Sequence, residues 1–245
     1  MVKALAHESI YDTVMHILRD RPRGTLLDIP AGEGALAERL IGMGFSVRCC
    51  DLYPDMFKLA AVEIRHGDLS GKLPYDDASF DDIVCVEGLE HIENPHQAVR
   101  EFARLIKQDG SVIVSVPNIM NIEERLKWLF FGYTSHFKPL SREALSKIDG
   151  EFAGREEVAL HINPISYSEL RYVLENSGLE LLGTYIDKPK KNSWAFTPIV
   201  LLIRLANKFV SAKKRQERWS TELSSDPVLL GGNTLILHAV KRSQQ

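Results

Sequence analysis

LLDIPAGEG, residues 26–34, is the stretch that decides the fold. A strand-like apolar run ends in an acid, Asp28, a tight glycine loop follows, and a helix-like run, ALAERL, begins at once. About twenty residues after the loop, a second strand-like run, FSVRCCD, ends in another acid, Asp51. A strand, a glycine loop, a helix and a second strand that ends in an acid are typical of a βαβ unit that binds a nucleotide.

Strand-like and helix-like runs alternate through the first half of the chain, which is typical of a parallel sheet covered on both faces. Apolar runs predict strands at 25–29, 45–50, 81–86 and 111–116, with a short one near 63–65. Helices are predicted at 33–43, 54–61 and 95–108. For the third helix, Asn94 is the expected cap, Pro95 fits the first position and Asp109-Gly110 marks the end.

The pattern changes after Pro117, where residues 119–165 form a long excursion with helical stretches and little strand character. SYSE, at 166–169, is a capping box for a helix that ends before Gly178. Two further strand-like runs, GLELLGTYI and NTLILHAV, are separated by a basic and apolar segment, 188–225.

Composition and charge narrow the class of protein. The chain has 245 residues, 44% of them hydrophobic, which is enough to bury the core of one α/β domain. The N-terminus is apolar only at helical intervals, and the three cysteines lie in strand-like runs without ligand spacing, so we expect a reduced, cytoplasmic protein. Residues 188–218 hold nine Lys or Arg and one acid, whereas the remainder holds 21 bases and 32 acids, so this segment is expected to meet an anionic partner.

Two kinds of nucleotide fit the glycine loop. Residues 32–37 match the G-x-G-x-x-A form of the dinucleotide fingerprint, and Asp51 lies at a suitable distance to bind a ribose. A dinucleotide loop sets backbone amides against a pyrophosphate, so the carboxylate of Asp28 directly before the loop is unfavourable there. A cofactor that carries an ammonium group and a sulfonium would tolerate or use that charge.

Several motifs in order resemble those of the class I S-adenosylmethionine-dependent methyltransferases. LLDIPAGEG is similar to the family's first motif, D-x-G-x-G-x-G, and residues 66–95 look like its third and fourth motifs. EGLEHIENP, at 87–95, resembles the subgroup that contains the ubiquinone-biosynthesis O-methyltransferases, and SVPN, at 115–118, matches the end of the fifth strand. The resemblance covers about residues 20–118 closely, and four motifs in order are far more specific than one.

This resemblance implies a Rossmann-like, doubly wound, mostly parallel sheet with an antiparallel last strand and a helical insertion after the fifth strand. It also implies S-adenosyl-L-methionine as cofactor, with Asp51 on the ribose hydroxyls, Leu52 beside the adenine and Asp68 on the adenine amino group. The first glycine of the motif is replaced by Pro30, so the turn must be entered differently. The expected cofactor-binding residues are Asp28, Pro30, Gly32, Gly34, Asp51, Leu52, Asp68, Leu69, Glu87 and His91.

The candidates for catalysis are two histidines in or near the excursion, which in this fold would lie over the substrate. His161 precedes the capped helix and resembles a histidine found there in many relatives, and His136 is the second candidate for a base. His91 is interpreted as a packed residue that shapes the site rather than as a base. Asn118, at the end of the fifth strand, is either a site residue or part of a simple turn. No metal site is predicted, because no set of His or acids stands at ligand spacing.

The run WAFTPIVLLIRLANKFVSAKKRQER, at 194–218, has two interpretations. It is either a helix packed over the domain with a solvated end, or an interfacial helix that meets an anionic membrane and a lipid-linked substrate. Pro198 and the irregular pattern favour the first. Nucleic acid is a weaker candidate for the anionic partner, because no base-reading motif is present. No transmembrane span is predicted.

The sequence therefore predicts one methyltransferase domain over 1–245, with a cofactor-binding half (1–118), a substrate-covering insertion (119–165) and a final part (166–245). The expected activity is methyl transfer from S-adenosylmethionine to oxygen on a small-molecule or lipid-linked acceptor. Two alternatives stay open: an NAD-dependent oxidoreductase, from the G-x-G-x-x-A match, and a cofactor-binding protein without catalysis, from Pro30 and the lack of an assured base.

Overall fold

A seven-stranded sheet is the frame of the protein in a computed structural model, which describes residues 2–145, 155, 159–191 and 193–242. The strands are β1 (Thr25–Asp28), β2 (Ser46–Asp51), β3 (Ile64–His66), β4 (Phe80–Cys85), β5 (Ile106–Pro117), β6 (Leu179–Ile186) and β7 (Thr234–Lys241). Their order in the sheet is β3-β2-β1-β4-β5-β7-β6. The pairs from β3 to β5 are parallel, and β7 runs antiparallel to both β5 and β6. The predicted doubly wound, mostly parallel sheet with an antiparallel last strand is thus confirmed.

Helices cover both faces of the sheet. They are α1 (Glu8–Leu18), α2 (Ala35–Gly42), α3 (Pro95–Leu105), α4 (Ile122–Phe131), α5 (Arg142–Leu145), α6 (Tyr167–Asn176), α7 (Thr197–Lys208), α8 (Ala212–Glu217), α9 (Ser220–Leu223) and α10 (Asp226–Leu229). Short 3₁₀ turns occur at Pro54–Met56, Leu89–His91 and Ser193–Phe196. Among the described residues, no helix is both long enough and apolar enough to cross a bilayer.

Two apolar clusters form the core, one on each face of the sheet. Because side chains alternate along a strand, neighbours in β1 divide between them: Leu26 faces the cluster with α1 and α2, and Leu27 faces the one with α3 and α6. Both residues are fully buried. Strands buried on both faces explain why the sequence shows continuous apolar runs here rather than alternation.

The predicted helix over 54–61 is wrong. Only a 3₁₀ turn forms, Pro54–Met56, and Phe57 after it is already extended, with ψ 135°. Phe57 and Leu59 pack instead against Ala31 of the glycine loop and Ala37 of α2. Burial of these apolar side chains over the loop outweighs the helical tendency of the segment.

The end predicted for the third helix is also wrong. α3 starts as expected, with the Asn94 side chain accepting from the Gln97 amide at 3.1 Å and Pro95 in the first turn, but it ends at Leu105. Residues 107–110 form an irregular bulge at the start of β5, where Asp109 has φ +60°. The Asp109-Gly110 signal therefore marks a turn inside the next strand rather than the end of a helix.

The basic and apolar segment is more helical than its sequence suggests. α7 runs over Thr197–Lys208, and Pro198 stands in its first turn, where a missing amide costs nothing. The inference that Pro198 weakens a helix is therefore wrong. Part of the predicted insertion, 146–154 and 156–158, lies outside the described residues. The division of the chain at 118 and 165 stays a prediction.

Candidate functional site

A cavity of about 600 Å³ opens at the carboxyl ends of β1, β2 and β4, the edge where ligands gather in α/β sheets. Nine of the residues named above as cofactor candidates line it: Asp28, Pro30, Gly32, Asp51, Leu52, Asp68, Leu69, Glu87 and His91. His161 also lines the cavity. The two predicted residues placed elsewhere are Gly34 and His136. The glycine loop, the acid at the end of β2 and a residue of the excursion, His161, thus line one cavity.

The glycine loop places its two glycines differently. Gly32 has φ +52° and lies in the cavity wall, where an added Cβ would be 2.8 Å from the Leu5 Cδ1 atom. Gly34 has φ +98°, and an added Cβ would be 2.8 Å from the ring of Phe57. Both positions need glycine for their backbone conformation. At Gly34, however, the missing side chain leaves room for Phe57 and Leu59 to pack over the loop, and the residue does not line the cavity.

Pro30 enters the loop through a cis peptide bond with Ile29. The next residue, Ala31, donates its amide to the Cys50 carbonyl at 3.1 Å, which fixes the loop to β2. Gly88 permits the proline ring to lie close, since a Cβ there would be 2.7 Å from the Pro30 Cδ atom. The loop is thus held by the neighbouring strand and by the turn after β4.

Asp51 joins the end of β2 to the glycine loop. Its Oδ2 atom accepts from the Gly32 amide at 2.8 Å, and its Oδ1 atom accepts from the Tyr53 amide at 2.8 Å. The carboxylate is buried and lines the cavity. A carboxylate offers about four lone-pair sites, so two remain for a ligand's hydroxyl groups.

Asp28 is a buried acid in the wall of the same cavity. Its Oδ2 atom has no hydrogen-bond partner among the described residues, and the side chain is 1% exposed. Burial raises the pKa of Asp28 to about 8, and the negative charge of Asp51 adds to the rise, whereas a hydrogen bond from the Ala37 amide opposes it. An unpartnered buried carboxyl oxygen that faces a cavity is suited to bind a cationic ligand group.

Asp68 and Leu69 form the rim and wall on the side of β3. Asp68 is exposed, and its Oδ1 atom accepts from the Ser70 amide at 2.7 Å. The simple turn that such a pair can form is therefore present. Leu69 is buried, and with Leu52 it gives this end of the cavity an apolar surface suited to a flat ring.

Two acids follow β4, and both resist ionisation. Glu87 has φ +49°, its amide donates to the Ser115 hydroxyl at 2.9 Å, and burial raises the pKa of its carboxyl to about 7. Glu90 is fully buried, and its carboxyl oxygens have no partner among the described residues. Burial, with the nearby Glu87 charge, raises the pKa of Glu90 well above its usual range. The environment of Glu90 thus favours its neutral form, whereas Glu87, with a pKa of about 7, is poised between its two forms at neutral pH.

Three histidines gather beside these acids. The rings of His91 and His161 meet edge to face with centroids 4.7 Å apart, and His136 stacks on His161 at 5.9 Å. The Nδ1 atom of His91 donates to the Leu160 carbonyl at 2.9 Å, so the ring has a fixed orientation. Burial lowers the pKa of His161 to about 4, helped by the other two rings, and burial lowers that of His136 as well. His161 is therefore a neutral imidazole at pH 7.

The backbone of Glu90 sets the position of His161. Its carbonyl accepts from the amides of Ile162 at 2.9 Å and Asn163 at 3.0 Å, directly after the histidine. As a result, ligand-type atoms of Glu90, His91 and His161 lie within 4.8 Å of one another. The sequence shows no such set, because His161 comes from far along the chain. That no metal is bound here stays a prediction.

Asn118 has a structural role. Its side chain donates to the carbonyls of Pro227 at 3.4 Å and Val228 at 3.3 Å, and accepts from the Met120 amide at 3.1 Å. The residue is fully buried. The interpretation as turn formation is the one that the structure supports.

The N-terminal residues complete the cavity, although nothing in the sequence indicates it. Lys3, Leu5 and Tyr11 form part of the cavity wall. The Lys3 amide donates to the Glu33 Oε2 atom at 2.7 Å, and Lys58 pairs with the same carboxylate at 2.5 Å. The N-terminal segment is thus tied to the glycine loop. Local patterns such as helix periodicity do not reveal contacts of this kind.

Comparisons with known proteins agree with this geometry. The sequence profile of the family described as "Methyltransferase domain" matches residues 27–114. Over 163 residues the chain is 28% identical to a ubiquinone biosynthesis O-methyltransferase of Psychrobacter cryohalolentis, covering 58% of this chain and 63% of the relative. For the protein of that name from Glaesserella parasuis the identity is 29%, covering 58% and 70%. One from Xanthomonas oryzae is 31% identical over 38% of this chain and 43% of its own length.

Solved structures resemble the whole fold. A structure from Archaeoglobus fulgidus described as a SAM dependent methyltransferase superposes with a TM-score of 0.52 and 17% identity, covering 94% of each chain. A Pyrococcus horikoshii protein superposes with a TM-score of 0.59 and 16% identity, covering 99% of this chain and 93% of its own. At these identities the likeness concerns the fold alone.

Proposed function

Residues 27–114 are a methyltransferase domain of the class I family that uses S-adenosylmethionine, and from this premise we propose that the chain methylates an oxygen atom of a small-molecule or lipid-linked acceptor. One observation carries the proposal. A single cavity extends from the glycine loop and Asp51 to Glu87 and His161. Cofactor and acceptor groups therefore share one space, as a direct transfer between them requires.

The residues at the loop end fit this cofactor. Asp51 has lone pairs left for ribose hydroxyls, and Leu52 and Leu69 offer an apolar surface to the adenine. The unpartnered oxygen of Asp28 fits a cationic group such as the ammonium of the methionine part. When bound, the cofactor supplies a methyl carbon made electrophilic by the sulfonium.

Asp28 is also the argument against a dinucleotide. An ionised Asp28 would repel the two phosphates of a pyrophosphate, whereas it would attract the ammonium group of the methionine part. A cation bound beside the carboxyl would lower its pKa from about 8 and so favour that ionised form. The oxidoreductase alternative depends on the glycine spacing, and the parallel titration with NAD tests it.

The chain's own residues at the other end would take the proton of the acceptor. Methylation of a hydroxyl oxygen would require the hydroxyl proton to pass to a base of the protein. A base works best when its pKa lies near the operating pH, which favours Glu87, at about 7, over His161, at about 4. We assign Glu87 as the first candidate for the base, with His161 in the cavity wall to orient the acceptor and His136 stacked on His161 outside the cavity lining.

The relatives are named ubiquinone biosynthesis O-methyltransferases, which favours oxygen over nitrogen as the atom that accepts the methyl group. Since the matches cover 43% to 70% of those relatives, their substrates serve only as a guide to chemical class. A hydroxylated ring, free or carried on a lipid tail, is the acceptor to test first. The lipid-linked form would need contact with a membrane surface.

Calorimetric titration with S-adenosylhomocysteine, and with NAD in parallel, tests the cofactor. We expect micromolar binding of the first and no binding of the second, with Asp76→Ala, an exposed acid outside the cavity, behaving as wild type. The reverse result would make the chain an oxidoreductase. Binding of S-adenosylhomocysteine without turnover on phenol, catechol or lipid-linked phenol acceptors would favour the non-catalytic alternative.

A further inference from the structure

Helix α4 is buried at its N-terminal end and extends into solvent at its C-terminal end. Its first turn is buried, with Ile122 2% and Glu124 1% exposed. Its last turn is the reverse, because the four consecutive residues Trp128, Leu129, Phe130 and Phe131 are 56% to 73% exposed. The helix ends at Gly132, which adopts φ +74°. An end that is apolar on every side and exposed on every side is unusual on a protein surface.

Helix α7, which packs beside α4, also exposes apolar side chains to solvent. Val200 and Ile203 pack with Ile122 of α4, so the two helices share one apolar cluster. The opposite side of α7 bears Leu201, Leu202, Leu205 and Phe209, which are 51% to 84% exposed. Spacings of three, four and eight residues place these side chains along one stripe. We call the end of α4 and this stripe of α7 the apolar face.

Basic residues border the apolar face at the end of α7. Exposed lysines and an arginine follow the stripe: Lys208, Lys213, Lys214 and Arg218. Arg215 does not belong to this group, since its guanidinium caps α7 by donating to the carbonyls of Asn207 and Val210. These two bonds fix the turn between α7 and α8, and with it the positions of the exposed cations. The single acid of the region, Glu217, is offset by Lys213 at 3.9 Å.

We propose that the apolar face docks the protein on an anionic lipid bilayer, with the Trp128–Phe131 turn and the α7 stripe inserted at the level of the headgroups. Aromatic and leucine side chains on one side and lysines at the border are the composition of interfacial helices. A second copy of the chain is a poorer occupant, because pairing this face with itself adds cations without acids to neutralise them. Anionic headgroups supply that charge.

A short stretch of chain joins the apolar face to the histidines at the acceptor end of the cavity. Four residues lie between Phe131 and His136, so the Cα atoms of these two residues are at most about 18 Å apart. The connection is clamped, since Lys127 donates to the Ser135 hydroxyl at 2.6 Å and Glu124 accepts from the Ser135 amide at 2.6 Å. A docked protein would therefore hold its acceptor end next to the membrane. This last step rests on the proposed function, whereas docking itself does not.

Sedimentation with vesicles tests the proposal without any methyl transfer. Wild-type protein should pellet with phosphatidylglycerol vesicles and far less with phosphatidylcholine vesicles. Lys213→Gln with Lys214→Gln should weaken anionic binding roughly 30-fold, since each basic residue near the surface contributes about a factor of five. Leu202→Ser with Phe130→Ser should weaken it at least about tenfold, because both side chains leave the lipid.

Leu182→Ser is the matched control, because Leu182 is 48% exposed but lies on β6, away from the apolar face. It should bind vesicles as wild type does. Equal binding of both double variants and wild type would overturn the proposal, as would no pelleting of wild type on anionic vesicles. Self-association that the Leu202→Ser, Phe130→Ser variant abolishes, without vesicle binding by wild type, would assign the face to a second copy instead. Titration of S-adenosylhomocysteine on the same samples keeps cofactor binding and docking separate.

Discussion

The carboxylate of Asp51 accepts a hydrogen bond from the amide of Gly32 at 2.8 Å, which ties the end of β2 to the glycine loop after β1. The same side chain is the proposed ribose ligand. Its two functions reinforce each other, because the bond that shapes the loop also orients the carboxylate toward the cavity. Loss of the Asp51 side chain would therefore remove the proposed ribose contact and, at the same time, loosen the glycine loop.

Asp51→Ala should weaken binding of S-adenosylhomocysteine between about 10- and 150-fold, the range for losing hydrogen bonds to a charged group. The fold should survive, because the core clusters on both faces of the sheet do not include Asp51. Calorimetry measures the affinity and circular dichroism the fold. Asp51→Asn, which keeps an acceptor for the Gly32 amide, should lose less. Unchanged affinity in the alanine variant would remove Asp51 from the site.

Asp28→Asn should change how stability depends on pH. The pKa of Asp28 is raised from 3.8 to about 8 in the folded protein, so between these values the folded chain holds a proton that the unfolded chain has lost. The stability that this proton supplies is complete below about pH 4 and is lost as pH rises toward 8, by about 1.4 kcal/mol per pH unit. The asparagine variant lacks this slope.

Urea unfolding of both proteins at about pH 5.5 and about pH 7.5 measures the difference. Wild type should lose roughly 2–3 kcal/mol more than Asp28→Asn over that interval. Glu87 and Glu90, whose pKa values are also raised, act in the same direction in both proteins, so the comparison isolates Asp28. Parallel curves would show that Asp28 is ionised in the folded apo protein.

Gly88→Ala should disturb the cofactor site because the added methyl group is too close to its neighbours, not because of backbone strain. The backbone of Gly88 has φ −129°, which alanine adopts freely, but the new Cβ would lie 2.7 Å from the Pro30 Cδ atom and 3.1 Å from the Cys85 sulfur. Since a proline ring has little room to move, the glycine loop must shift. We expect at least about tenfold weaker binding of S-adenosylhomocysteine and lower stability.

Gly42→Ala is the matched control for that variant. Gly42 is the last residue of α2, and an added Cβ there meets no atom within 4 Å. Alanine should stabilise the helix by up to about 1 kcal/mol and leave cofactor affinity unchanged. If both alanine variants bind as wild type does, the loop tolerates movement at Pro30.

The first strand, the loop and Asp51 could be predicted because their signals are local: a strand pattern, two glycines and an acid within 26 residues. The segment after Tyr53 was mispredicted because its apolar side chains cover the loop instead of a helix face. The histidine cluster depends on the Glu90 carbonyl, which holds a segment about seventy residues further on, and no spacing rule detects that.

The sequence also did not predict which apolar residues are exposed to solvent. The run from Trp128 to Phe131 has the composition of a buried helix, and only the structure shows that α4 leaves the body before reaching it. The basic character of 188–218 pointed to an anionic partner, and this segment contains the α7 stripe, but the Trp128–Phe131 turn that belongs to the same apolar face comes from α4, outside the segment. Composition identifies which side chains are apolar, but the fold decides which of them are covered.

Glu87→Gln should remove the pH dependence of turnover near neutrality, once an acceptor is known. Because burial raises the pKa of Glu87 to about 7, its basic form increases between about pH 6 and pH 8, and wild-type kcat should rise across that interval. The glutamine variant should lose this rise, and kcat should fall by about 10²- to 10⁴-fold. Glu93→Gln, at the exposed rim of the same cavity, is the control and should keep the wild-type profile.

His161→Ala separates the two candidates for the base. With a pKa of about 4, His161 stays neutral from pH 6 to 8, so its loss should lower turnover without moving the pH profile. Cofactor affinity should change less than turnover, because the ring lies at the acceptor end. Stopped-time assays across this pH range, with S-adenosylhomocysteine titrations of each variant, measure both. A pH profile that survives in Glu87→Gln but disappears in His161→Ala would reverse the assignment, since the proton would then pass to the histidine cluster.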